Sequence, residues 1–269
     1  MHPFLRIGHR GASGHEPENT LRSIRRALAL GANGIEIDVR LTRDGELAVF
    51  HDARLSRVTD GGGLLARRTL AELRQLDAGK GEKIPTLREV LDLLAGRAWL
   101  NIELKAPGTG AAVLREAERA IREGGWNPRD LVVSSFDRGE LAAMLRCAGT
   151  SETAGLAKTG RSPGVPRVPF GIGVLVSRRP ASLARLAAPL GATSLHLPRR
   201  LAIPTLITRA HSLGLRVYVF TVNDGAEIAR LKSMGVDGVF TDFPERALSP
   251  EEKSLLPDET EAPGIEAAL

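Results

Sequence analysis

The chain has 269 residues, 42% of them hydrophobic, which is enough to bury the core of one α/β barrel or of two modest domains. Its single cysteine, Cys147, excludes an internal disulfide and points to a reducing, cytoplasmic setting. The net charge is +5, but from Ser249 onward six acids face one lysine; subtracting that −5 leaves residues 1–248 at about +10, with scattered arginines and only 4% aromatic residues, which argues against a stacking platform for nucleic acid.

Strand-like runs alternate with amphipathic segments. "FLRIGH" (4–9) opens the pattern so early that no leader segment is expected, and no apolar run reaches the roughly 18 residues of a membrane span. A helix over Thr20–Leu30 follows, with Asn19 expected as its N-cap and Gly31 in the left-handed position after it. "GIEIDV" (34–39) and "ELAVFH" (46–51) are strands, and "GGGLLARRTLAEL" (61–73) holds a small helix at the rim. Helix Thr86–Leu94, strand "AWLNIELK" (98–105), helix Gly110–Glu123, strand "LVVSSF" (131–136) and helix Arg138–Cys147 continue the alternation. "TAGLA" (153–157) is the next strand, the Gly- and Pro-rich stretch Lys158–Phe170 a long loop covering a site, and "GIGVLVS" a short extra strand with no assigned place. Helix Ala181–Leu190, strand "TSLHL" (193–197), helix Pro204–Leu213, strand "RVYVFTV" (216–222), helix Ala226–Met234 and strand "DGVFTD" (237–242) complete it.

Strand and helix in repeated alternation require a parallel sheet, because each parallel crossover needs a helix. About eight such units in this length fit a closed (β/α)8 TIM barrel, one domain over residues 1–248 with a small insertion after the second strand. "GHRGASG" lacks the spacing of a dinucleotide-binding glycine loop. Residues 249–269 form an acidic tail interrupted by three prolines, with disorder expected beyond Leu256.

In "GIEIDVR" the isoleucines and Val39 share one face of the strand, and Glu36, Asp38 and Arg40 share the other. "LNIELK" repeats this, with Asn101, Glu103 and Lys105 opposite Leu100, Ile102 and Leu104. A barrel turns the apolar face to its helices and the polar face to its interior, so Glu36, Asp38 and Glu103 converge near the mouth. Buried together, they repel one another unless protonated or neutralised. A hard divalent cation, Mg²⁺ or Ca²⁺, does this; the competing reading is a salt-bridge network with Arg10, Arg40 and Lys105. His9 and His51 end two strands and reach the same mouth, where a pair of imidazoles can act as general acid and base. His196 ends another strand and is a candidate for the pocket wall; His15 and His211 read as structural. Asp52 either orients His51 or caps the loop, with the loop role favoured.

The motifs "HRGASGHEPENT", "GIEIDVRLTRDGELAVFHD", "IPTLREVL", "LNIELK", "VVSSFD", "RVYVFTVND" and "GVDGVFTDFP", in this order from Ile7 to about Pro244, resemble the bacterial glycerophosphodiester phosphodiesterase family of cytoplasmic type. The resemblance implies a metal-dependent TIM-barrel enzyme that releases sn-glycerol 3-phosphate and an alcohol from a small glycerophosphodiester, without nucleic acid or stable membrane insertion, as a monomer or homodimer. It makes His9 and His51 the catalytic pair and Glu36, Asp38 and Glu103 the ligands of one Mg²⁺ or Ca²⁺. Arg10 and Lys105 then contact the phosphate, and Phe136, His196 and Phe220 the substrate. Phe220 stands where a tryptophan is common, and Asn33 where an aspartate is common, which bears on pocket shape. The alternatives are a lysophospholipase D-type enzyme and a barrel that binds phosphorylated ligands without turnover.

Overall fold

The computed structural model describes residues 3–148 and 168–256. Its strands are β1 (Leu5–His9), β2 (Gly34–Leu41), β3 (Leu47–Val49), β4 (Trp99–Leu104), β5 (Leu131–Ser135), β6 (Gly171–Leu175), β7 (Ser194–Pro198), β8 (Arg216–Phe220) and β9 (Gly238–Thr241). All except β3 pair in parallel, and β1 joins both β2 and β9, so eight strands close into a (β/α)8 barrel. The expected fold is therefore present.

The strand between β5 and β7 is the run "GIGVL", which the sequence pattern leaves without a place; it pairs with both neighbours. "TAGLA" and most of the expected covering loop lie outside the described residues, as does the tail beyond Leu256. The glycines of β6 explain its weak periodic signal. A Cβ on Gly173 would stand 2.7 Å from His196 Nε2, so this strand presents a bare backbone where a neighbouring ring fills the interior.

The helices are α1 (Leu21–Ala29), α2 (Leu70–Leu73), α3 (Leu87–Leu94), α4 (Thr109–Arg122), α5 (Arg138–Ala148), α6 (Leu183–Ala187), α7 (Pro204–Ser212), α8 (Gly225–Ser233) and α9 (Pro250–Lys253). Most ends lie within two residues of those expected. Thr20, not Asn19, caps α1, accepting from the Ser23 amide. Asn19 has a positive φ of 59° and serves the barrel mouth instead. The start of the acidic tail docks: Ser249 and Glu252 form a reciprocal cap on α9, and Glu252 pairs with Arg6 at 3.0 Å.

Strand alternation sorts the core into two shells. Ile35, Ile37, Val39, Leu100, Ile102, Val133, Val217 and Val239 face outward into one large cluster shared with the helices. Leu5, Ile7, Trp99, Val132, Tyr218 and Phe240 fill the barrel's interior. A third cluster, including Phe50, Leu55, Leu65, Leu73 and Ile84, belongs to the insertion between β3 and α3. Its α2 carries the capping box Thr69/Glu72 and buries Leu73.

Ile37 is fully buried behind Asp38, so its outer-shell packing fixes the strand that carries the acids. Ile37→Ala should lower unfolding stability by about 2–5 kcal/mol. Urea unfolding measures this; a loss below about 1 kcal/mol would mean that this strand is not held by its outer face.

Candidate active site

Glu36, Asp38 and Glu103 are all buried on the inward face of β2 and β4, and each offers an oxygen within 4.8 Å of the other two. Asp38 and Glu103 are direct partners across the β2/β4 ladder. Two cations reach the cluster: Lys105 Nζ lies 2.7 Å from Glu103 and 3.5 Å from Asp38, and Arg10 Nε lies 3.2 Å from Asp38. Arg40 turns away, donating instead to the His51 carbonyl at 2.7 Å. The salt-bridge network is thus real but incomplete, with three acids facing two side-chain cations.

The deficit falls on Glu36. One of its oxygens accepts the Arg10 amide at 2.9 Å, while Oε1 is buried without a partner. Burial, and then the charge of Asp38, push its carboxyl up to about 8. Burial and Asp38 also raise Glu103, whereas Asp38 goes down because Arg10 and Lys105 outweigh its burial. An all-oxygen set with one unpartnered carboxylate oxygen fits a hard divalent cation. Asn101, on the same inward face, adds an unpartnered buried Oδ1.

The loop after β1 supplies the remaining groups from unusual backbone. Arg10 and Asn19 both take the left-handed region, φ 56° and 59°. The loop lies hard against α1: a Cβ on Gly11, φ +83°, would come within 2.4 Å of Ser23 Oγ, and that hydroxyl donates to the Arg10 carbonyl. Asn19 Nδ2 donates to Asp38 Oδ2 at 2.9 Å, and its Oδ1 accepts the Asp38 amide. Arg10 also donates to Glu18 at 2.8 Å.

Both strand-end histidines carry a carboxylate on Nδ1. His9 Nδ1 donates to Asp242 Oδ1 at 2.7 Å. Asp242, held down at about 2 by His9, Asn223 and Ser13 against its burial, can only accept, so the proton sits on Nδ1 and Nε2 is left for other chemistry. His51 Nδ1 donates likewise to Asp52 Oδ1 at 2.5 Å, so Asp52 orients the histidine and the expected loop-capping role is corrected. The rings differ in proton affinity. For His9, burial acts downward, but Asp242 and the charge of Glu36 outweigh it and the net shift is upward. For His51, burial outweighs Asp38 and Asp52, and the shift is downward.

His9, His51, Arg10, Glu36 and Glu103 line one cavity of about 190 Å³, whose other walls include Lys105, Phe136, Leu175 and Phe220. Phe136 is half exposed and meets Phe220 edge to face at 5.9 Å, with Lys105 Nζ 6.0 Å from the Phe136 ring. His196 borders the cavity from below, fully buried, with Nε2 3.0 Å from Ser194 Oγ. Burial pushes it down to about 3, so it is neutral in ordinary conditions. A larger cavity of about 980 Å³ is lined by residues at the strand starts, including Leu5, Trp99 and Val132, and contains neither the acids nor the paired histidines.

All ten candidates therefore lie at one mouth. Asp242, Asn223, Ser13 and Glu18 were not anticipated. Asp242 had a readable signal, an acid ending the last strand, which barrel closure places beside the first.

Residues 9–246 match the Glycerophosphoryl diester phosphodiesterase family. A glycerophosphodiester phosphodiesterase of Caldanaerobacter subterraneus subsp. tengcongensis is 34% identical, covering 91% of this chain and 96% of its own. One from Bacillus altitudinis is 33% identical, covering 90% and 96%. An Oleispira antarctica phosphodiesterase, solved in complex with the product sn-glycerol-3-phosphate, superposes with a TM-score of 0.74 at 33% identity, covering 89% of this chain and 93% of that one. A Thermotoga maritima glycerophosphodiester phosphodiesterase gives a TM-score of 0.67 at 28% identity, covering 91% and 97%. The chain belongs to the glycerophosphoryl diester phosphodiesterase family.

Proposed function

We propose that the protein hydrolyses small glycerophosphodiesters in the cytoplasm to sn-glycerol 3-phosphate and an alcohol, using His9 and His51 as its acid–base pair and one divalent cation, Mg²⁺ or Ca²⁺, on Glu36, Asp38 and Glu103. The observation that carries this reading is the convergence of two carboxylate-buttressed imidazoles and two cations on one acid-lined cavity. The product bound by the Oleispira relative supports the same product here.

When bound, the cation neutralises the three acids and polarises a phosphoryl oxygen. Arg10 and Lys105 stabilise negative charge on the phosphoryl group as it develops. His51, shifted downward, takes the proton of the attacking hydroxyl on Nε2, and His9, shifted upward, gives one to the leaving alcohol. Phe136 and Phe220 shape the side of the cavity that receives the alcohol. The attacking group is either water or a glycerol hydroxyl, the latter through a cyclic phosphate.

A lysophospholipid substrate would need an apolar rim. Among the described residues the large exposed apolar side chains are Phe136, Ile203, Leu213 and Leu255, and of these only Phe136 borders the cavity. The rim segment of the insertion buries Leu65 and Leu73 in its own cluster. No described helix is long and apolar enough to cross a membrane.

A coupled assay should show release of sn-glycerol 3-phosphate from glycerophosphocholine, glycerophosphoethanolamine or glycerophosphoglycerol, with lysophosphatidylcholine a poor substrate; no turnover of any glycerophosphodiester with either metal would sink the proposal. Titration of Mg²⁺ or Ca²⁺ into chelator-stripped protein should give binding heat that is lost in Glu36→Gln and Asp38→Asn. His9→Ala and His51→Ala should each lower kcat by about 10²-fold or more while metal binding persists. The pH profile of kcat/KM should be a bell. Its acid limb, the protonation of His51, lies below the ordinary 6.5, and its alkaline limb, the deprotonation of His9, above it. Limbs in the reverse order would exchange the two roles.

A further inference from the structure

The segment after β3 enters the site at His51 and Asp52 and then packs around its own apolar cluster, yet a residue further along it returns to the site. Arg57 donates from Nε to Asp52 Oδ2 at 2.6 Å and from its two terminal nitrogens to both oxygens of Glu18 at 2.7 Å. The other oxygen of Asp52 holds His51 Nδ1, and Glu18 also accepts from Arg10. A single guanidinium therefore stands at the midpoint of an unbroken chain, His51 to Asp52 to Arg57 to Glu18 to Arg10.

Packing does not explain this placement, since the Arg57 side chain is 46% exposed while Glu18 and Asp52 are 16% and 26% exposed. Ion pairs so near the surface contribute little to stability. Their effect is on direction. Apart from the ring it holds, the hydrogen-bond partner of Asp52 is Arg57, so its rotamer is set there. Among the described residues Glu18 is shared between Arg57 and Arg10, so the Arg57 fork fixes the plane against which Arg10 rests. A planar fork fixes the planes of both carboxylates it binds; an ammonium can pair with two acids, as Lys105 does with Glu103 and Asp38, but as a point charge it does not set their orientation.

We propose that Arg57 is a positioning residue that orients His51 through Asp52 and Arg10 through Glu18, making the insertion part of the reactive site. The inference rests on the phosphodiesterase function proposed above. Lys80 is the natural control: it also ties the insertion to the loop after β1, through Glu16 at 2.7 Å and the His15 carbonyl at 3.0 Å, but it has no bond to a mouth residue.

Wild type, Arg57→Ala, Arg57→Lys and Lys80→Ala would be compared for kcat, for affinity toward sn-glycerol 3-phosphate by calorimetry, and for the His51 tautomer by ¹⁵N shifts of histidine-labelled protein. Arg57→Ala should lower kcat by about 10²-fold, as misplaced reacting groups do, and weaken product binding by about tenfold. It should also release the His51 proton from Nδ1, methylguanidine should recover part of kcat, and Arg57→Lys should fall with Arg57→Ala. Lys80→Ala should match wild type throughout. Equal behaviour of Arg57→Ala and wild type, full activity in Arg57→Lys, or an equal loss in Lys80→Ala would overturn the inference. A wild type that releases no sn-glycerol 3-phosphate would instead sink the functional proposal, and the His51 tautomer would still decide the role of Arg57 independently of turnover.

Discussion

The structure is organised around the cost of holding three carboxylates inside a barrel. A charged group moved out of water is expensive unless paired, and Glu36, Asp38 and Glu103 have nowhere to go, being fixed on two hydrogen-bonded strands with their faces set by alternation. Two consequences follow. Lys105 and Arg10 are drawn onto Asp38 and Glu103, which pre-arranges both cations at the mouth where a phosphoryl group would meet them. Glu36 keeps an unpartnered oxygen, and that residual deficit leaves the salt-bridge network incomplete.

Closure of the barrel then assembles the surroundings of His9. His9 ends β1, and β1 is flanked by β2 and β9, so the ring lies between Glu36 on one side and Asp242 on the other. An open sheet with the same strands would leave one of those neighbours absent. Asp242 is in turn fixed by Asn223, which reads both its carboxylate and its backbone amide, and by Ser13. The first strand, the last strand and the loops after β1 and β8 thus converge on one imidazole.

Much of this was legible because it depends on period. Alternation in "GIEIDV" and "LNIELK" gave the inward acids, and the β/α rhythm gave the barrel, since both follow from backbone geometry alone. The run "GIGVLVS" reads as a strand but without a place, because β6 carries glycines where other strands carry branched residues and so has a weak periodic signal. Asn19 was misassigned for a different reason. Its side chain is a good helix cap by type, but a positive φ turns it toward Asp38 and leaves the cap to Thr20. Asp242 follows from the rhythm once the barrel closes, but Glu18 and Arg57 lie on loops whose meeting is a tertiary fact, and no local pattern encodes it.

The two histidines show how one type of contact gives two chemical characters. Each gives Nδ1–H to an aspartate, so each presents the same free nitrogen. Asp242 has its remaining hydrogen bonds satisfied by neutral donors, which leaves its negative charge available to favour protonated His9. Asp52 instead shares its charge with the Arg57 guanidinium, and His51 also faces the positive charges of Arg10 and Lys105. The hydrogen bond to aspartate raises the proton affinity of both rings: for His9 it joins the charge of Glu36 and outweighs burial, while for His51 burial, with Arg10 and Lys105, outweighs it. What separates the two rings is the charge each faces beyond its aspartate, Glu36 for His9 and the cations Arg10 and Lys105 for His51, set against the burial of both.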